Sequence, residues 1–204
     1  MNSGTILGYF LQTVPIAVVV GTVYTILRLV FLKRRKCPVV WFSEAMRLMF
    51  VFYLTGLCSL LILPANFWLH IYDGIFFGLW EYMGAFFRFG EVNLIPTIVK
   101  CLSGEFILDS WVKEMLVGNV VMFMPFGFFL PFVTEKLNKK RALTIAVIVP
   151  VVVEFFQLII GRSFDIDDLI CNFFGIVVGC LIANGIKRHG GCFKVNINNS
   201  RLSG

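Results

Sequence analysis

The sequence predicts an all-α, polytopic transmembrane helix bundle of about five spans with its N-terminus outside. Three observations carry this prediction. Of 204 residues, 58% are hydrophobic and 15% charged, with a mean hydropathy of +0.86, whereas a soluble domain carries about 25% charged residues. The apolar residues, 23 phenylalanines among them, fall into blocks of roughly 20 residues, the length that crosses a bilayer core as a helix. Lysines and arginines gather in short segments beside these blocks, as cytoplasmic loops require.

The first block, Thr5–Leu32, begins after a stretch with no basic residue and contains no small-x-small cleavage site, so a retained helix is expected in place of a cleaved signal peptide. The remaining spans are placed at Glu44–Leu63, Lys113–Val133, Ala142–Ile160 and Asp168–Ile186. Lys33, Arg34, Arg35, Lys36 and Arg47 flank the first turn, Lys136, Lys139, Lys140 and Arg141 fill another, and Lys187 and Arg188 follow the last span. Basic residues mark the cytoplasmic side. The long segment Pro64–Val112 has only Arg88 and Lys100 against Asp73, Glu81, Glu91, Glu105 and Asp109, and it falls outside.

Within that segment, Asn66–Phe89 is apolar and aromatic but also holds His70, Asp73, Glu81 and Arg88. Counting it as a span would put neighbouring basic loops on opposite sides, so it reads as an interfacial or re-entrant segment. Trp68, Tyr72, Trp80 and Tyr82 would lie at headgroup level. Residues 1–43 thus form an N-terminal helix and basic loop, 44–188 the main membrane domain, and 189–204, rich in Gly, Asn and Ser, a disordered cytoplasmic tail. The net charge of +6 is accounted for by cytoplasmic loops and needs no nucleic-acid partner. Cys58, Cys171 and Cys180 lie in spans, Cys37 and Cys192 in basic segments and Cys101 in the long loop, so no pair is spaced as a disulfide. The default location is the cytoplasmic membrane, with lipids as the first partners.

A charge near the bilayer centre costs about 2.5–3.5 kcal/mol on insertion scales, so each polar interruption needs a partner or a purpose. Glu154 and Gln157 lie three apart, on one face of the fourth span. An outside turn, Gly161 to Asp168, carries Arg162, Asp165, Asp167 and Asp168 and leads to Asn172 one turn into the fifth span. Asn119 follows Gly118 near the outer end of the third span, and Asn93 stands in Val92-Asn93-Leu94-Ile95-Pro96. All of these fall at one depth on the outer side and are candidates for a single polar site. Asp168 and Asn172 share a face with Gly175 and Gly179, which permits close helix approach. Structural readings stand beside the functional ones. Glu154 and Gln157 can bond a neighbouring helix, and the acids can cap and complement the N-terminus of the fifth helix. Arg162 can pair with those acids, Pro125 can kink its helix, and Arg28 can snorkel to the inner interface.

Three close carboxylates repel, so a cation, Arg162 or protonation must relieve them. No metal set or cofactor follows from the sequence. It contains no His-Glu-x-x-His, Gly-x-Ser-x-Gly or phosphate loop, and His70 and His189 are far apart. Hydrolytic nucleophile chemistry is poorly supported.

Asn93-Leu94-Ile95-Pro96, Gly118-Asn119, Pro125-Phe126-Gly127 with Pro131, and Glu154-x-x-Gln157 followed by Arg162, Asp165-x-Asp167-Asp168, Asn172, Gly175 and Gly179 together resemble the VanZ-like membrane proteins. The resemblance covers roughly Glu44 to Ile186, with Thr97 where Phe is expected. It implies an envelope protein of Gram-positive bacteria linked to reduced sensitivity to glycopeptide antibiotics, especially lipid-tailed, teicoplanin-type ones. An outer polar site would meet the drug or a lipid-linked cell-wall precursor. The rival expectation is an intramembrane enzyme that modifies such a substrate, with Glu154 or one of Asp165, Asp167 and Asp168 as general base or as ligand to a metal ion. A transporter is disfavoured because no inverted repeat is visible.

Overall fold

The computed structural model describes residues 6–35, 40–63, 67–80, 89–97, 99, 103, 110–134 and 137–202. Six helices form among them: α1 (Ile6–Arg35), α2 (Trp41–Ile62), α3 (Phe67–Phe77), α4 (Ser110–Val133), α5 (Lys139–Ile159) and α6 (Ile166–Leu202). All but α3 are long and apolar enough to cross a membrane, in agreement with the predicted spans. Glu81, Tyr82 and Arg88 of the aromatic segment lie outside the described residues, as do Lys36, Lys100, Glu105, Asp109 and Lys136.

α3 has 11 residues, so it is roughly 16 Å long at 1.5 Å per residue, about half of a hydrocarbon core. It stops at Gly78, whose φ of 71° suits a residue without Cβ. Trp68, Tyr72 and Trp80 are exposed. A helix this short does not span on its own.

The core lies between α2, α4, α5 and α6, where Leu57, Leu61, Phe123, Leu130, Ala146, Ile176 and Cys180 are buried together. The tightest approach joins α4 to α6. A Cβ on Gly179 would lie 2.0 Å from the Met124 carbonyl oxygen, one on Gly175 2.4 Å from that of Val120, and one on Gly127 1.9 Å from that of Ile176. Small residues let transmembrane backbones approach this closely. α1 packs chiefly on α2, leaving Val19, Leu27 and Leu29 exposed, as lipid contact allows.

Side-chain contacts define two ends of the bundle. At one, the Phe42 and Phe132 rings meet at 6.2 Å, Lys187 Nζ donates to the Pro131 carbonyl, and Arg28 meets Glu44; this basic end also holds Lys139 and Arg188. At the other, Asn119 meets Asp168 and Arg162 reaches the end of α2. We call this the acidic end.

One expectation changes. Arg28 does more than snorkel: its Nε and a terminal nitrogen donate to Glu44 at 2.7 and 2.6 Å, and Arg47 donates to the same carboxylate at 3.0 Å. A carboxylate on the next helix satisfies the guanidinium where it stands. α6 is helical to Leu202. Extending an existing helix adds a hydrogen bond per residue without a new nucleus.

Candidate functional site

The acidic end is built on the turn between α5 and α6. Gly161, at φ 84°, ends α5 in the left-handed conformation. Its amide bonds to Leu158 O at 3.4 Å, and the Arg162 amide bonds to Gln157 O at 3.0 Å. These are the two bonds of a Schellman cap. Here the side chains that meet across the cap are polar. With its amide oriented to satisfy both neighbours, Gln157 donates to Glu154 Oε1 at 3.0 Å and accepts from Arg162 at 3.3 Å. Arg162 also donates to Leu61 O at 3.4 Å, a carbonyl in the last turn of α2 that lacks an intrahelical donor.

A second layer comes from the segment between α3 and α4. Val92–Asn93 forms a short parallel pair with Phe164–Asp165, with Val92 opposite Phe164 and Asn93 opposite Asp165. Gly90 N bonds to Leu158 O at 2.9 Å, and Phe164 N to Glu91 O at 2.8 Å. The loop lies so close that a Cβ on Gly90 would be 1.8 Å from the Arg162 carbonyl oxygen. Only glycine fits there.

Each aspartate of the turn then holds a different segment. Asp165 accepts from Asn93 Nδ2 at 3.1 Å and, as N-cap of α6, from the Asp167 amide at 3.0 Å. Asp167 accepts from both the amide and hydroxyl of Thr97, at 2.8 and 2.5 Å. Asp168 accepts from Asn119 Nδ2 on α4. Glu154 on α5, with no exposed surface, accepts from the Asp165 amide at 3.2 Å. Asn172, one turn below Asp168 and 3% exposed, has an Oδ1 with no hydrogen-bond partner among the described residues. Buried polar atoms are nearly always satisfied, so this oxygen faces a position suited to a donor.

The structure therefore brings Glu154, Gln157, Arg162, Asp165, Asp167 and Asn93 into one hydrogen-bonded network, with the Asn119–Asp168 pair beside it and Asn172 one turn below Asp168. The capping reading holds for Asp165; Glu154 and Gln157, expected to bond a neighbouring helix, bond each other and the α5–α6 turn instead, and it is Asp168 that bonds across to α4. Thr97 is not among the sequence candidates, yet it contributes two donors. Its hydroxyl next to Pro96 is the available signal. Among the described residues no group of three or more His, Cys, Asp or Glu side chains is arranged to hold a metal ion. Four carboxylates against one guanidinium leave the site acidic in formal charge.

A family model described as VanZ/LLP1 matches residues 50–187, a stretch that contains every residue of this network. No curated protein and no solved structure matches the chain.

Proposed function

The chain belongs to the VanZ/LLP1 family, and from that premise we propose that it is a cell-envelope protein whose acidic end binds or shields a lipid-anchored ligand at the outer leaflet. The ligand is the amine- and amide-bearing portion of a lipid-tailed, teicoplanin-type glycopeptide, and the outcome is reduced sensitivity to that drug. One observation supports this reading above others: side chains from the outer loop, α4, α5 and the α5–α6 turn converge on one membrane-bounded cluster. Buried ionisable groups in a membrane domain point to function by default. The excess of carboxylates favours cationic and hydrogen-bond-donating ligands over the pyrophosphate of a lipid-linked precursor, which it would repel.

In this reading the basic end faces the cytoplasm, the acidic end faces outward, and the host membrane is the cytoplasmic membrane of a Gram-positive cell. Glu154→Gln and Asp168→Asn, each retaining shape while removing a charge, are expected to abolish the protein's effect on glycopeptide sensitivity at unchanged expression. Full protection from both variants would remove the site assignment.

The second reading is an intramembrane enzyme, favoured by one feature: Glu154 is fully buried among other acids, a setting in which carboxylates serve as general acids or bases. Mass spectrometry of envelope lipids separates the two. A new covalent species that depends on Glu154 selects the enzyme, and an unchanged lipid profile alongside protection selects binding.

A further inference from the structure

At the opposite end of the bundle, residues of α5 and α6 line a crevice of about 990 Å³, at the upper end of the usual range for ligand sites, about 300–1,000 Å³. Its mouth carries Lys139, Lys187 and Arg188, and among the described residues that line it none is acidic. Asn138 and Asn184 add amides at the same level. Deeper in, the walls are Ala146, Val177 and Leu181, all inside helices that cross the membrane. One crevice thus joins a cationic rim to an apolar slot.

The rim concentrates positive charge. The first turn of α5 has no acidic residue and carries Lys139, Lys140 and Arg141, placing three positive charges on the positive end of the helix dipole, where anions are favoured. Asn138 caps the helix through the Arg141 amide at 2.8 Å. Lys187 is held at the rim by the Pro131 carbonyl and stands over the Phe132 ring, 4.7 Å from its centre. The rim is ordered to receive an anion.

We propose that this crevice is a binding site for an anionic glycerophospholipid, whose phosphate sits between Lys139, Lys187 and Arg188 and whose acyl chain fills the slot along Ala146, Val177 and Leu181. A free phosphate would leave that slot uncovered. Basic pockets between transmembrane helices hold anionic headgroups in this way. The site is separate from the acidic end and stands whether or not the proposed function does.

The test uses the purified full chain in detergent, with bound lipid read by native mass spectrometry against dioleoyl phosphatidylglycerol, dioleoyl phosphatidylcholine and sodium phosphate. Phosphatidylglycerol is expected to be retained in preference to phosphatidylcholine, and phosphate is expected not to displace it. Lys139 and Arg188 are exposed, so the Lys139→Ala/Arg188→Ala variant should fold normally and lose affinity by about fivefold per cation removed. Leu181→Trp, at a side chain 65% exposed, fills the slot with all charges intact and should weaken retention as well. Lys33→Ala/Arg34→Ala, which removes basic residues of α1, should leave the preference intact. Equal retention of the two lipids, displacement by phosphate, an unchanged preference in either crevice variant, or its loss in the α1 variant would each overturn the proposal.

Discussion

Gln157 and Arg162 are five residues apart and face each other across the end of α5, because Gly161 between them turns the chain at φ 84°. The backbone cap and the side-chain chain Glu154–Gln157–Arg162 are one construction. A residue with a Cβ in the left-handed region costs about 1–2 kcal/mol, and Asn tolerates it better than most. Gly161→Ala should therefore lower the unfolding temperature in detergent more than Gly161→Asn does. The opposite order would show that the turn does not depend on this conformation.

The α4–α6 contact makes opposite predictions for two glycines of similar appearance in sequence. Gly179→Ala places a methyl 2.0 Å from a backbone oxygen, which neither helix can avoid without moving, and overpacking of this kind costs about 1–3 kcal/mol or more. At Gly118 an added methyl would meet nothing within 4 Å, so Gly118→Ala should raise stability by about 0.5–1 kcal/mol through helix propensity. Thermal melts of the two purified variants decide between them; equal effects would contradict the packing described.

The sequence carries the spans because lipid imposes a length and a composition on any helix that crosses it. It also carries the shared level of Glu154, Asp168 and Asn119, since position along a helix follows from counting residues in each span. What it does not show is which donor meets which acid. Asp165, Asp167 and Asp168 are three similar carboxylates within four positions, and only the docking of the α3–α4 loop gives Asp165 to Asn93 and Asp167 to Thr97. That docking rests on Gly90 and a two-residue strand pair, too short to leave a periodic signal. The partner of Arg28 is hidden for a similar reason: Glu44 lies on the next helix, and interhelical register is not written in either segment alone.

Loop docking can be measured through Thr97 and Asp167. Thr97→Val removes the hydroxyl donor but leaves the amide, so it should cost about 0.5–1.5 kcal/mol, the net worth of one hydrogen bond. Asp167→Ala removes the acceptor for both. In a double-mutant cycle the two substitutions should be non-additive by at least about 0.5 kcal/mol, with faster amide exchange at residues 90–97. Additive effects would mean that this pair does not hold the loop.

The two ends of the bundle are testable as a topology. In a cysteine-free background, a cysteine placed at Ser163, which is exposed in the acidic turn, should react with a membrane-impermeant thiol reagent in intact cells. One placed at Lys139, exposed at the start of α5, should react only after permeabilisation. Labelling of position 139 from outside would invert the orientation and move the acidic cluster to the cytoplasmic side.

The Arg28–Glu44 pair joins α1 to α2, with Arg47 sharing the same carboxylate. Both side chains of the pair are mostly shielded, 24% and 18% exposed, and a shielded charge deprived of its partner is destabilising. Arg28→Ala leaves the carboxylate with Arg47, so its cost should be the smaller of the two single changes. Glu44→Ala takes the shared acceptor from two guanidiniums and should lower folded yield and melting temperature more. Arg28→Ala/Glu44→Ala removes one of those guanidiniums together with the acceptor, and should be more stable than Glu44→Ala alone. A double variant less stable than Glu44→Ala would mean that Arg28 stabilises the bundle by something other than this ion pair, and the joint between α1 and α2 would have to be sought in the packing of Gly21 against Phe52.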